Sequence, residues 1–262
     1  FWIDVGASDP SIHSVTRAFS EHGWHGINVE PRAAEFAALQ WQRPRDINLC
    51  LALAAAAGTM TFYDCEDGGL SSLDPGAAQR NRAAGRAVVE REVEVATLAE
   101  ICARHAPADI HFLKIDVEGA EPEVLAGLDL TRHRPRAIVI EAVNPNNLDA
   151  AVSAWEPGLL AQGYDFAFFD NLNRFYLARE ASTLKARLPA RPTPWHDVGH
   201  LWNCGRALEK PDHPDHALAR ALALGLMAEL PHLPADLLAR LIARGRAADT
   251  TLAAMPEGDM IL

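Results

Sequence analysis

"FWIDVGASDPSIHSVTRAFSEHGWHGINVEP", residues 1–31, decides the fold. Phe1–Val5 is an apolar run broken by one acid, and it ends on Gly6. Ser11–His22 spaces its apolar residues as a helix would, and Gly26–Val29 is a second apolar run closed by Glu30 and Pro31. Strand, glycine turn, helix and strand make half of a nucleotide-binding α/β unit, whose ligands sit beyond the carboxyl ends of the strands. Gly6 stands where the backbone must turn sharply and leave room. A dinucleotide site would continue as G-x-G-x-x-G, so that a pyrophosphate rests on the helix N-terminus. Here the turn reads Gly6-Ala7-Ser8-Asp9-Pro10, with no second or third glycine and with an acid that would repel a phosphate. Nicotinamide and flavin dinucleotides are disfavoured, and with them a nicotinamide-dependent sugar oxidoreductase.

Glu30 ends the second run, where an acid can accept hydrogen bonds from both ribose hydroxyls of a nucleoside. The alternative for Glu30 is a solvated acid at a strand end. A ligand that needs the acid but not the phosphate cradle is S-adenosylmethionine, which carries a ribose, a cationic sulfonium and an ammonium. Asp4 and Glu30 suit those groups, with Gly6, Ala7, Ser8 and Pro31 supplying the surrounding turns.

Outward from this unit, apolar runs alternate with helical patterns, as in a mainly parallel sheet with crossover helices. Strands are expected at Phe1–Val5, Gly26–Val29, Ile47–Leu53, Thr59–Tyr63, Ile110–Val117, Ala137–Ala142, Tyr164–Phe169 and Arg174–Ala178. Helices are expected at Ser11–His22, Arg32–Trp41, Thr97–His105, Pro122–Gly127 and Leu148–Gln162, and Asp64–Ala87 reads as a long loop. From Lys185 the texture changes to a Pro-broken connector, "RLPARPTPWHDVGH", followed by Leu and Ala at helical intervals over His213–Ala248. The expected organisation is residues 1–184 as one α/β domain and 185–262 as connector plus helical extension. Those last helices would pack on the domain or on a second copy of it.

The 262 residues suffice for a full α/β core. A formal net charge of -11 argues against nucleic acid, whose binding leans on Lys and Arg. Cys50, Cys65, Cys102 and Cys204 are scattered without a C-x-x-C pair, which points to free thiols and a cytoplasmic setting. No apolar run reaches the roughly 20 residues of a membrane span, and no signal peptide precedes Phe1.

"DVGASDP", "SVTRAF", "GWHGINVEP", "RPRDINL", "GLSSLD", "TLAEIC", "HFLKIDVEGAEPEVLAGLDL", "RPRAIVIEA" and "NRFYLA" follow one another between Phe1 and Arg179. Each is weak alone, and the ordered set resembles the FkbM family of S-adenosylmethionine-dependent methyltransferases, of the type found in glycan and polysaccharide biosynthesis. The resemblance implies a Rossmann-like class I methyltransferase fold with a seven-stranded sheet and helices on both faces. It also implies O-methylation of a sugar hydroxyl in a glycan or glycan precursor, with fusion to glycosyltransferase modules or a homodimer as possible settings. Pro10, where a glycine is common, and Ser8, often Asn, depart from the wider pattern. The competing reading is a non-catalytic ligand-binding module that docks within a polysaccharide-assembly protein.

For methyl transfer the enzyme must align acceptor oxygen, methyl carbon and sulfur, and a base helps because a sugar hydroxyl is a poor nucleophile. "LKIDVEGAE" offers Asp116 and Glu118 on the parity of Lys114, with Gly119 breaking the strand. Asp116 is the first candidate for base or hydroxyl anchor, and it lies near the donor as well. Glu141, at the end of "AIVIEA", is the second candidate, Glu118 the third, and His13 a further one. A structural Lys114–Asp116 pair is the competing account of Asp116. Glu121 and Glu123 are accounted for by the positive end of a helix dipole. Asp116, Glu118, Glu141 and His13 are also types that gather a divalent metal, but their spacing selects none and no metal is assigned. Ser71 and Ser72 in "GLSSLD" are placed to bond the donor or to cap a turn, and Asn144 to reach a polyol.

Overall fold

The computed structural model describes residues 1–66, 69–142, 155–170, 172–190, 208 and 216–243. Two compact units emerge, Phe1–Trp195 and His196–Leu262. The first is built on a seven-stranded sheet and a three-stranded sheet. The strands in chain order are β1 (Trp2–Val5), β2 (Gly26–Val29), β3 (Ile47–Leu49), β4 (Ala52–Leu53), β5 (Gly58–Cys65), β6 (Val88–Ala96), β7 (Phe112–Ile115), β8 (Ala137–Glu141), β9 (Tyr164–Phe169) and β10 (Asn173–Ala178).

The large sheet runs β3-β2-β1-β7-β8-β10-β9. All neighbours are parallel except β10, which is antiparallel to both β8 and β9. Strands β1, β2 and β7 are almost wholly buried, which is why they read as continuous apolar runs rather than as alternation. Trp2 fills the space that Gly26 leaves open: a Cβ on Gly26 would stand 2.5 Å from the indole. The chain passes from β1 outward to β2 and β3, and later returns beside β1 as β7 and then β8. Strand order therefore reverses between β1 and β7, the place where an open α/β sheet forms its ligand crevice.

The helices of this unit are α1 (Arg17–Glu21), α2 (Ala33–Gln42), α3 (Pro75–Ala83), α4 (Leu98–His105), α5 (Glu121–Ala126) and α6 (Glu156–Ala161). Thr97 and Glu100 form a reciprocal capping box that starts α4. Four expectations are corrected. The helix expected over Ser11–His22 is only Arg17–Glu21, because Asp9 Oδ1 takes the Ser11 and Ile12 amides into a turn that holds the preceding residues out of helix. The run Ile47–Leu53 breaks into β3 and β4, which belong to different sheets. The stretch Asp64–Ala87 contains α3, started by the Asp74 carboxylate accepting the Gly76 and Ala77 amides with Pro75 beside it. Strand β6 answers to no strand expected from the sequence, and it pairs with β5 from Gly58↔Val95 to Cys65↔Val88.

A 3-10 helix, Arg179–Arg187, follows β10. In the second unit, His216–Glu229 is helical and Leu230–His232 is a 3-10 turn, and residues 235–243 are helical again. Asn144, the helix expected over Leu148–Gln162 as far as residue 154, and Cys204 lie outside the described residues. Among the described residues, Cys50 and Cys102 are free thiols. Among the described residues no helix is long and apolar enough to cross a membrane.

Candidate active site

Four adjacent parallel strands, β2-β1-β7-β8, bring their carboxyl ends to one edge, and each ends in a residue singled out from the sequence. Asp4 and Gly6 come from β1, Glu30 follows β2, Asp116 follows β7, and Glu141 closes β8. Gly6 has φ +78, and a Cβ there would stand 1.8 Å from the Asp116 carbonyl oxygen. Only glycine lets β1 turn at this point while β7 ends directly against it.

The turn spends its own amides. Gly6 N–H and Ala7 N–H both donate to the Val29 carbonyl at 3.1 Å, and Ser8 N–H donates to Glu30 Oε2 at 2.9 Å. Three successive donors of the kind that cradle a pyrophosphate elsewhere are thus directed at β2 instead. Ser8 adopts φ +48 to make this closure. The other Glu30 oxygen, Oε1, accepts from Arg32 N–H at 2.9 Å. Glu30 is only 5% exposed, so it is no solvated strand-end acid. Burial pushes its carboxyl up to about 7 despite the Arg32 and Ser8 amides. Each oxygen keeps acceptor capacity beyond its one amide, which fits a ligand presenting two hydroxyl donors. Pro31 follows directly and leads through Arg32 into α2.

Asp4 is 1% exposed, inside the sheet edge. Its Oδ2 accepts from the Thr16 hydroxyl at 3.0 Å, and Oδ1 lies 3.3 Å from Lys114 Nζ. That Oδ1 makes an ion contact without hydrogen-bond geometry. Thr16 is in turn held by Arg43, whose guanidinium also bonds the Pro10 carbonyl and Ser14. Asp4 and Arg43 therefore fix the loop between β1 and α1. His13 sits in that loop, exposed and at φ +54.

Beyond β7 the chain makes a tight turn through Val117, Glu118 and Gly119. The expected strand Ile110–Val117 is cut to Phe112–Ile115, so parity does not place Asp116 and Glu118. The turn does, with Glu118 at φ +58 and Gly119 at φ +109. Glu121 closes it by accepting the Val117 and Gly119 amides at 3.1 Å. Ser72 secures it from the other side, donating to the Val117 carbonyl at 3.0 Å. Ser71 is spent on the end of β5, where its hydroxyl accepts the Cys65 amide at 2.9 Å.

Carboxyl oxygens of Asp116, Glu118 and Glu141 all lie within 4.8 Å of one another, and His13 does not join them. Burial, then the Asp116 charge, pushes Glu141 and Glu118 well above the ordinary carboxyl range. Crowded in this way, Glu118 and Glu141 hold their protons well into the range where an ordinary carboxyl has lost them. Asp116 Oδ2 is 3.2 Å from Lys114 Nζ, which also donates to the Gly6 carbonyl at 3.1 Å. The sequence pairs Lys114 only with Asp116, yet its ammonium also bonds the glycine turn and lies against Asp4. Its signal in the sequence is a lysine set among the apolar residues of "FLKI", which a buried strand tolerates only with anions beside it. Thr16 and Glu121 gave no comparable signal.

The chain matches the family model described as the methyltransferase FkbM domain over residues 4–166, more than half of its length, and it belongs to that family. The match begins at Asp4 and contains the turn, Glu30 and all three clustered carboxyls. No curated protein and no solved structure matches the chain.

Proposed function

We propose that this FkbM-family methyltransferase is a Rossmann-like class I enzyme that uses S-adenosylmethionine to methylate a sugar hydroxyl of a glycan or glycan precursor. The carrying observation is the division of one sheet edge by the Gly6 turn. On one side lies Glu30, a buried acid with acceptor capacity to spare, and on the other lie Asp116, Glu118 and Glu141. The first side suits a ribose, and the second suits a hydroxyl that must lose a proton.

The residues fit the donor in two respects. Glu30 is a buried carboxylate that two hydroxyl donors would satisfy, and the turn amides, already spent, offer no site for a phosphate. When bound, S-adenosylmethionine supplies an electrophilic methyl group on a sulfonium, whose sulfur keeps the bonding electron pair and becomes a neutral thioether. Glu30 holds and orients the ribose, and the Gly6–Ser8 turn lines the approach. Asp116 accepts the proton of the acceptor hydroxyl as its oxygen forms the new C–O bond. Glu141 and Glu118, protonated, donate hydrogen bonds that orient a polyol.

The test is incubation with S-adenosylmethionine and defined glycan acceptors, followed by mass spectrometry. A mass gain of one methyl on the sugar, matched by S-adenosylhomocysteine, is expected. Donor binding with no methylated product would favour the docking-module reading instead.

A further inference from the structure

Lys114 lies on β7 between the two sides of this edge. Its ammonium makes three contacts: the Gly6 carbonyl at 3.1 Å, Asp116 Oδ2 at 3.2 Å and Asp4 Oδ1 at 3.3 Å. The side chain is 8% exposed. A lysine so placed is tolerated because two carboxylates compensate its desolvation. A structural ion pair needs only one of them, and Lys114 instead touches the donor turn and the acceptor-side acid together.

We propose that Lys114 is a positioning residue, which holds the Gly6 turn and Asp116 in one register beside the other two carboxyls. This rests on the function proposed above. The charged groups around it are consistent with the assignment. Asp4 faces it from β1 and Asp116 from the end of β7, with Glu118 next in the same turn. Glu141 on β8 and Glu121 at the start of α5 face Asp116, and Glu118 in addition faces Arg80 of α3. Arg43 faces Asp4 from the end of α2. Burial alone would lower the Lys114 pKa, but Asp116 and Asp4 outweigh it and raise the group above its ordinary value. With its cation fixed there, Asp116 is held where a proton leaving the acceptor hydroxyl would reach it.

The chain has three lysines, Lys114, Lys185 and Lys210, so lysine-specific ¹⁵N labelling of the full chain gives a simple ammonium spectrum. One slowly exchanging ammonium signal is expected without any ligand, absent in Lys114→Met and displaced in Asp116→Asn. In Lys114→Met, kcat should fall about 10²-fold, the low end of what a positioned base contributes. The acid limb of its kcat–pH profile should move to higher pH, because a base without its cation keeps its proton longer. A folded Lys114→Met protein with an unmoved limb overturns the proposal. Should that variant not fold, a Lys114 ammonium signal that Asp116→Asn leaves in place overturns it equally. Failure of the methyltransferase reading would appear separately, as no calorimetric binding of S-adenosylmethionine by the unaltered chain.

Discussion

The Ser8 amide donates to Glu30 Oε2 at 2.9 Å, which ties the turn after β1 to the acid after β2. One bond thus couples the shape of the glycine turn to the side chain proposed to hold the ribose. Donor binding and local stability should therefore move together when Glu30 is altered.

Glu30→Ala removes the acceptor of both the Ser8 and Arg32 amides and of two ribose hydroxyls. Leaving buried polar groups unmatched costs about 1–3 kcal/mol, so donor affinity should drop roughly 5- to 150-fold, with a lowered melting temperature. Glu30→Gln keeps one acceptor oxygen and should lose less of both. Calorimetry and thermal melts check this, and unchanged donor affinity in Glu30→Ala would remove the ribose assignment.

Stability without ligand should fall as pH rises from about 5 to about 8. Burial raises the Glu30 carboxyl from 4.5 to about 7, and Glu118 and Glu141 are raised as well. An acid whose folded pKa is raised holds a proton that the unfolded chain has released. Its contribution is complete below the unfolded value and is lost as pH climbs through the folded one. Donor binding should run the other way, strengthening as pH passes about 7, since ribose hydroxyls favour the Glu30 anion. Melting temperatures that hold level or increase over this interval would contradict the assignment of buried protons to these acids.

Gly6→Ala tests the close approach of β1 to β7. Its φ of +78 and the Asp116 carbonyl oxygen 1.8 Å from an added Cβ act together. Left-handed backbone alone costs a non-glycine residue of order 1–3 kcal/mol, and the contact cannot relax without moving Asp116. Denaturant unfolding should show at least that loss, accompanied by weaker turnover. Gly23, also at positive φ but with nothing within 4 Å, is the control: its alanine variant should lose only the conformational part.

The site edge was legible because parallel, doubly buried strands announce themselves as apolar runs, and the residues after such runs are the ones that face a ligand. Gly26–Val29 and Tyr164–Phe169 match the observed strands to the residue. Strand β6 was not legible: "VVEREVEVA" is mostly exposed, and its glutamates and arginine hide a strand held chiefly by pairing with β5. Helix α3 did leave a signal, the Asp74-Pro75 pair, but its apolar moment is faint among Gly, Asn and Arg. In the site, Asp116 and Glu141 could be placed from strand ends alone. Glu118 could not, because its position depends on a left-handed turn closed locally by Glu121 and secured by Ser72, which reaches it from another part of the chain.

Asp116 is where the chemistry should fail most cleanly. It stands at the end of β7, ion-paired to Lys114 and within 4.8 Å of Glu118 and Glu141. Asp116→Asn keeps the shape and removes the charge that would receive the hydroxyl proton. A positioned base contributes about 10²–10⁴-fold, so kcat should fall by that factor. Donor affinity should hold within about 2-fold, a change of under 1 kcal/mol, because Glu30 lies across the Gly6 turn. Some stability will go too, since Lys114 loses one of its two carboxylates, and melting curves give the folded fraction against which kcat is corrected. Turnover close to normal after that correction would mean that Asp116 is a structural counter-ion, and Glu141→Gln would then be the variant expected to lose activity.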